Sequence, residues 1–367
     1  MDKRIKNYKI IDKILKKEKI EEKCELKPFI YRQIGSKSLY GVVYRLSYKS
    51  NDYNNKHKIP DITVKAMDSS KKDNVDEVFY YKKLRNYTIK KITPHFPLVW
   101  ESIFCKDKCT FLTENPGDKI KKWSENYCYL LFSELFNGDL RNYAESIKNQ
   151  SEIVKTKKTI SLLVQVMMGL YTLEKNNLAH GDLHTQNVLY YNIKNKDKDK
   201  DKNKKYIKYT LQGETYYVPH FSNIFVLWDF GKMRKIGLRA DHGKDWLKKN
   251  NFPEFNAINS IVWDLCIFTD ALKYFLYLIG LKNKDIYTFI KHLRSRYISY
   301  AIKLSKGENN DNNDNNDNKD VKYFLDELIY ELSHFFKGTE IENFIKYNEE
   351  EKYVISNYNL DENYEEK

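Results

Sequence analysis

His180-Gly181-Asp182-Leu183-His184-Thr185-Gln186-Asn187, followed downstream by Trp228-Asp229-Phe230-Gly231, is the stretch whose reading decides the rest of this 367-residue chain. Asp182 and Asn187 leave one short loop five positions apart. A carboxylate so placed can reach a hydroxyl of a second molecule while the amide, a short turn later, faces back toward a divalent cation. Asp229 supplies a hard anionic oxygen for the same kind of ion. His184 can donate one hydrogen bond beside Asp182 or carry charge. Each motif alone can arise by chance. Their occurrence together, in this order and each preceded by apolar residues, is a strong signal.

The flanks supply the elements that such a loop needs. From Ile160 to Leu173 the apolar positions 160, 163, 164, 167, 170 and 171 follow the i, i+3, i+4, i+7 pattern of a helix with one buried face. Val188–Tyr191 and Ile224–Leu227 are short apolar runs suited to strands. The motif therefore reads as helix, loop, strand, then strand and a second loop.

Four upstream segments carry further chemistry. Ile34 to Tyr44 holds Gly35 and Gly41, with Val43 just beyond; glycines there let backbone N–H groups approach an anion without a Cβ in the way. Ile62-Thr63-Val64 ends in Lys65 after three strand-forming residues. The helix predicted from Asn74 to Arg85 turns Val75, Val78, Phe79 and Leu84 inward. Glu77 on it is the carboxylate expected to pair with Lys65, in preference to Asp76. Tyr129 to Leu140 reads as a strand, a connection and a helix start, in which Asp139 either reaches a ligand or caps the helix.

Over roughly residues 30 to 300 these segments resemble the protein kinase-like superfamily. The resemblance implies an α+β, two-lobed fold, with a small antiparallel-sheet lobe carrying one helix and a larger, mainly helical lobe. It implies ATP and Mg²⁺ as cofactors and transfer of a phosphoryl group to protein hydroxyls, serine/threonine in type. Asp182, His184 and Asn187 then become catalytic, and Asn187 and Asp229 metal-binding. Gly35, Gly41, Val43 and Lys65 with Glu77 serve the nucleotide phosphates, and the backbone from Glu134 to Phe136 serves adenine. Asp139 would be the residue that reaches the ribose. The His-Gly-Asp-Leu-His sequence departs from the commoner His-Arg-Asp-Leu-Lys. It is found also in aminoglycoside- and choline-type phosphotransferases and in kinases of large cytoplasmic DNA viruses. The hairpin-like Tyr206–Pro219 resembles the viral proteins most. A small-molecule phosphotransferase and a non-catalytic pseudokinase scaffold are the alternatives. Gly231 and a remnant of the A-P-E motif at Phe252-Pro253-Glu254 favour the protein kinase.

Gly181 stands where many kinases carry the Arg that grips a phosphorylated activation loop. From Lys232 to Glu254 the chain has no Ser, Thr or Tyr. A phosphate switch needs an acceptor and a cationic receiver, so none is expected here. That segment is instead basic (Lys232, Arg234, Lys235, Arg239, Lys244, Lys248, Lys249), which suits acidic or already phosphorylated protein substrates.

The length suffices for one two-lobed unit with an ample core. The resemblance divides it into an N-terminal extension (1–28), a small lobe (29–136), a large lobe (137–346) with an insertion at 193–220 and a low-complexity loop at 306–320, and an acidic tail (347–367). The net charge of +13 accompanies heavy use of Lys, Asn, Ile and 30 Tyr. An A/T-rich coding sequence gives that bias, so a nucleic-acid partner is not required. Lys194–Lys205 and Glu308–Asp320 alternate charge or repeat Asn-Asp and lack apolar surface to bury. Five cysteines (24, 105, 109, 128 and 266) show no regular pairing or metal spacing, and no leader peptide is visible, which together suggest a cytoplasmic setting. Val262–Leu281 is the most apolar segment. It contains Asp264, Asp270 and Lys273, so it reads as a buried central helix with Asp264 on the catalytic-loop backbone, not as a membrane span.

Overall fold

The computed structural model describes residues 2–19, 24, 26–34, 41–49, 59–106, 127–193, 206–237, 260–306, 321–339, 341–342, 344–345 and 354–362. Gly35, the charge-alternating segment 194–205, the Asn-Asp repeat and residues 238–259 lie outside the described residues. The chain divides into two units, Met1–Lys90 with Pro97–Leu135, and Lys91–Phe96 with Phe136–Lys367. One is built on an antiparallel sheet and the other is mainly helical, the α+β arrangement of a two-lobed kinase-like fold.

The first unit is organised by β1 (Phe29–Ile34), β2 (Gly41–Tyr48), β3 (Ile62–Asp68), β4 (Val99–Cys105) and β5 (Cys128–Glu134). They form one antiparallel sheet in the order β1-β2-β3-β5-β4. β3 is central, so every one of its residues is buried, Lys65 included. Gly41 opens β2 where a Cβ would lie 2.8 Å from the Ala66 carbonyl oxygen, so the strands approach at a distance only glycine allows. α2 (Lys72–Ile89) buries Asn74, Glu77, Val78, Tyr81, Leu84, Tyr87 and Thr88. Val75 and Phe79 are 42% and 60% exposed, contrary to the expectation that they face inward. The helix is rotated so that Glu77 points in, and the apolar residues two positions to either side are carried outward.

The described residues of the N-terminal stretch pack into this core. α1 (Asp2–Lys17) inserts Ile11, Ile14 and Leu15 into the same core cluster as Leu46, Val64, Trp100 and Phe132. Trp100 Nε1 donates to the Tyr8 carbonyl at 2.7 Å and the two rings stack at 5.7 Å. A disulfide joins Cys24 to the end of β4 at Cys105, closing 81 residues of chain. No local spacing marks that pair, because strand topology brings the two cysteines together.

In the second unit the described elements run β6 (Gly138–Asp139), α3 (Leu140–Ile147), α4 (Glu152–Lys175), β7 (Leu178–Ala179), β8 (Val188–Asn192), β9 (Tyr206–Leu211), β10 (Glu214–Pro219), β11 (Asn223–Leu227), β12 (Arg234–Lys235), α5 (Ile261–Leu278), α6 (Lys284–Lys306), α7 (Val321–Phe335) and β13 (Val354–Asn359). α4 is buried almost throughout from Thr159 to Leu173. Each fully buried Leu, Val or Met contributes about 2 kcal/mol. α5 is the buried helix expected around Val262–Leu281. Among the described residues no helix is long and apolar enough to cross a membrane.

Two further differences from the sequence reading stand out. β9 and β10 form an antiparallel hairpin, as expected, but its Ile207, Tyr209, Leu211, Tyr216 and Val218 are buried, so this part of the stretch read as an insertion is a core layer. β13, in the stretch read as an acidic tail, pairs in parallel with β9, Tyr358 opposite Tyr209. Just beyond it, the Asp361 carboxylate accepts from Gln212 N at 2.7 Å, Gly213 N at 3.0 Å and Tyr171 Oη at 3.2 Å. Burial works to raise the pKa of Asp361, and the N–H donors of Gly213 and Gln212 outweigh it, leaving the carboxyl below its usual range.

Candidate active site

In the first unit, the β3–β5 register sets Lys65 opposite Leu131, and Val43 lies opposite Lys65 on β2. Lys65 Nζ donates to Glu77 Oε1 at 2.6 Å, with both side chains nearly buried. A desolvated pair with one short hydrogen bond holds its ammonium in one place, which a solvated strand-end lysine does not. At the end of β5, the backbone N–H of Glu134 donates to Leu98 O at 3.0 Å, and Leu98 N returns a bond to Glu134 Oε1 at 2.8 Å. Phe136 belongs to the second unit, where its ring meets Trp228 edge-on at 6.0 Å. Asp139 serves as a helix cap: its carboxylate accepts from Arg141 N (2.9 Å) and Asn142 N (3.1 Å), and Asp139 N donates in turn to Asn142 Oδ1.

In the second unit, the loop from His180 to Asn187 is fastened at both ends. The fully buried Asp264 of α5 accepts the backbone N–H of His180 at 2.6 Å and that of Gly181 at 2.8 Å. Burial pushes its carboxyl up to about 7 against the pull of those two donors. His180 Nε2 donates to the Trp228 carbonyl at 2.9 Å, and Nδ1 faces the Asp182 N–H at 3.4 Å. Complete burial holds the imidazole pKa below its ordinary value, so His180 stays neutral. Asn187 Nδ2 donates to the Asp182 carbonyl at 2.8 Å, and Asn187 O accepts from Trp228 N at 2.9 Å. These bonds tie Asp182, Asn187 and the residue before Asp229 into one frame. Asp229 itself sits at φ 64°, ψ 74°, a left-handed conformation unusual for a non-glycine residue. Phe230 is buried, with its ring edge-on to Phe96 and His180. His184 Nδ1 accepts from Gln186 N at 3.2 Å, which places the proton on Nε2, 3.7 Å from Asp182 Oδ2.

The donor set fits Mg²⁺. A carboxylate at Asp229 and an amide oxygen at Asn187, whose NH₂ is engaged with Asp182, are hard oxygen ligands. Mg²⁺ takes one or two of these and completes its shell with water and substrate phosphate. Among the described residues no cluster of three His, Cys, Asp or Glu could hold a metal ion by itself.

Gly181 has a structural reason beyond the missing arginine. Its φ is +80° and a Cβ would lie 2.7 Å from the Lys232 carbonyl oxygen. The loop from His180 to Asn187 thus rides against the chain just after Trp228–Gly231, where β12 pairs with β7 and Ile236 N donates to Asn177 O at 3.0 Å. Of the basic segment, only Lys232, Arg234 and Lys235 lie within the described residues, and Arg234 Nη1 donates to Met233 O at 2.7 Å. Phe252-Pro253-Glu254 lies outside them.

Two contributors escaped the sequence reading. Arg4 reaches Glu134 with both Nε (2.8 Å to Oε2) and Nη2. His95 braces β11: its Nδ1 donates to Phe225 O at 2.7 Å, its carbonyl accepts from Leu227 N at 2.9 Å, and its Nε2 accepts from Tyr209 Oη at 2.9 Å. The available signals were the apolar spacing of Tyr8, Ile11 and Leu15 along α1, and the rigid Pro94-His95-Phe96-Pro97.

No curated protein matches the chain. The family model described as protein tyrosine and serine/threonine kinase matches residues 120–209, 90 of the 367, from ahead of β5 through His180–Asn187 into β9. With the α+β architecture and the frame around Asp182, that match supports placing this chain with the protein kinase-like superfamily.

Proposed function

We propose that the chain is an ATP-dependent serine/threonine protein kinase that works without an activation-loop phosphate switch. The observation that carries this reading is the hydrogen-bonded frame joining Asp182, Asn187 and Trp228-Asp229. In it, Asp182 accepts the proton of the substrate hydroxyl as its oxygen bonds to the γ-phosphorus and the bond to ADP breaks. His184 offers Nε2–H beside Asp182, in place of the fixed charge of the usual lysine. Lys65, immobilised by Glu77, neutralises nucleotide phosphate. Gly41 and Val43 line the start of β2, and the backbone at Glu134 and Phe136 is assigned to adenine. Asn187 and Asp229 would hold Mg²⁺, which when bound offsets charge on the phosphates. Positioning and charge neutralisation supply most of the acceleration.

The absence of a hydroxyl from 232 to 254 supports the switch-free reading. So does Gly181, whose backbone conformation and proximity to Lys232 leave no room for an arginine side chain. The basic residues after the metal loop favour acidic or phosphorylated substrates. The test is transfer from radiolabelled ATP to generic protein substrates, with choline and aminoglycosides as competing acceptors. Asp182→Asn should abolish transfer while nucleotide affinity stays within about threefold. Transfer by the variant at the wild-type rate, or transfer to the small molecules alone, refutes the reading. Phosphatase treatment should leave the initial rate unchanged.

A further inference from the structure

α1 presents lysines to solvent at positions 3, 6, 9, 13, 16 and 17, yet its one arginine is 2% exposed. Arg4 reaches the carboxylate of Glu134, itself 7% exposed, through Nε and Nη2 in a two-pronged contact. The same carboxylate accepts the Leu98 N–H at 2.8 Å, while the Glu134 backbone N–H donates to Leu98 O at 3.0 Å. Thr63 Oγ1 shares a hydrogen bond with Ser133 Oγ at 2.7 Å just before it. The last residue of β5 is therefore held by its side chain and its backbone at once.

A buried ion pair is an inefficient stabiliser, since desolvation offsets much of the attraction. What a bidentate guanidinium–carboxylate contact supplies is orientation. α1 is anchored independently, through Ile11, Ile14, Leu15, the Tyr8–Trp100 stack and the Cys24–Cys105 disulfide. It thus offers a fixed base from which Arg4 can hold Glu134. The burial of this arginine ends at the residue whose backbone is assigned to adenine, not at an arbitrary part of the sheet.

We propose that Arg4 is a positioning residue for nucleotide recognition: through the Glu134 carboxylate it holds the end of β5 in the conformation that meets the adenine ring. The inference rests on the kinase reading above. It assigns the N-terminal helix to the binding of the base, as distinct from the phosphates, and makes α1 a required part of the nucleotide-binding unit.

The probes are ATP with Mg²⁺ and adenosine alone, titrated calorimetrically against the full chain. Arg4→Lys keeps the charge but loses the fork. It should weaken both ligands by about tenfold in Kd, with kcat at saturating ATP within twofold of wild type. Should Arg4→Lys fail to fold, Arg4→Met/Glu134→Gln removes both charges, leaves an amide oxygen for Leu98 N, and should show the same loss. Phe29→Leu is the control: it trims the same core cluster from β1, outside α1 and away from Glu134, and should lower thermal stability with adenosine affinity unchanged. A folded Arg4 variant with wild-type adenosine affinity overturns the proposal, as does one that loses only kcat. A wild-type chain that binds neither ligand overturns the kinase reading itself, and this inference with it.

Discussion

Asp264→Asn offers a quantitative test of how the loop from His180 to Asn187 is held. The wild-type carboxyl is fully buried, takes two backbone N–H bonds, and has its pKa pushed from an ordinary 3.8 to about 7. The folded chain therefore keeps this proton up to about pH 7, whereas the unfolded chain loses it near pH 4. The resulting stabilisation is present in acid and is lost as pH rises through 7. Between pH 8 and pH 5.5 the wild type gains about 2 kcal/mol from this one group, at 1.36 kcal/mol per unit of pKa difference. An asparagine cannot titrate, and its NH₂ opposes one of the two N–H donors, which costs about 1–3 kcal/mol at every pH. The deficit of the variant should thus grow by about 2 kcal/mol on acidification, or about 4–8 °C in melting temperature for a unit of this size. Differencing the two proteins matters, because buried His180 works the other way: its lowered pKa makes acidification destabilising in both. Asp182, His184 and Asp229 nearby are common to both chains. Thermal denaturation from pH 5.5 to 8 decides the matter. Parallel curves for wild type and variant would refute the reasoning, since they would mean that Asp264 titrates as an ordinary carboxylate.

Three further outcomes follow from the packing. Gly181→Ala should destabilise by about 2 kcal/mol or more, from the positive φ and the 2.7 Å approach to Lys232 O; a neutral effect in denaturant melts would show that the loop does not sit as described. Cys24→Ser should cost the first unit about 4 kcal/mol, the scale for opening an 81-residue loop, and unchanged melting under reducing and oxidising conditions would contradict the pairing. Tyr209→Phe leaves the buried Nε2 of His95 without its hydroxyl donor and should cost about 1–2 kcal/mol. Hydrogen exchange should then quicken at the Phe225 and Leu227 amides of β11, and undisturbed protection there would remove His95 from the bracing of that strand.

Much of the central machinery could be read from local pattern. The helix around Ile160–Leu173, the strands at 188–191 and 224–227 and the buried helix carrying Asp264 all follow from periodicity and spacing. Each depends on neighbours in sequence, which is where such patterns carry information. In α2 the buried face is the stripe Asn74, Glu77, Val78, Tyr81, Leu84, Tyr87 and Thr88, in which a carboxylate paired with Lys65 sits among aromatic and aliphatic side chains, so a count that starts from Val75 and Phe79 picks the wrong face. The bonds of Arg4 to Glu134, Cys24 to Cys105 and His95 to Tyr209 span 81 to 130 residues and leave no periodic trace. β13 was hidden by composition: acidic residues around it mask a strand whose Tyr358 is 2% exposed.

The parallel pairing of β9 with β13 has a consequence for synthesis. β9 lies in the middle of its sheet, with β10 on one side and β13 on the other. β10 follows almost at once, but β13 begins at Val354, well over a hundred residues after β9 ends at Leu211. At about 5–20 residues per second, a ribosome takes on the order of ten seconds or more to deliver it. Throughout that interval one side of β9 is an unpaired edge, beside side chains that are later buried, and such edges template association between chains. The nascent protein therefore passes through a window in which crowding on a polysome or a lack of chaperone is most damaging, and slower translation past Leu211 would lengthen it.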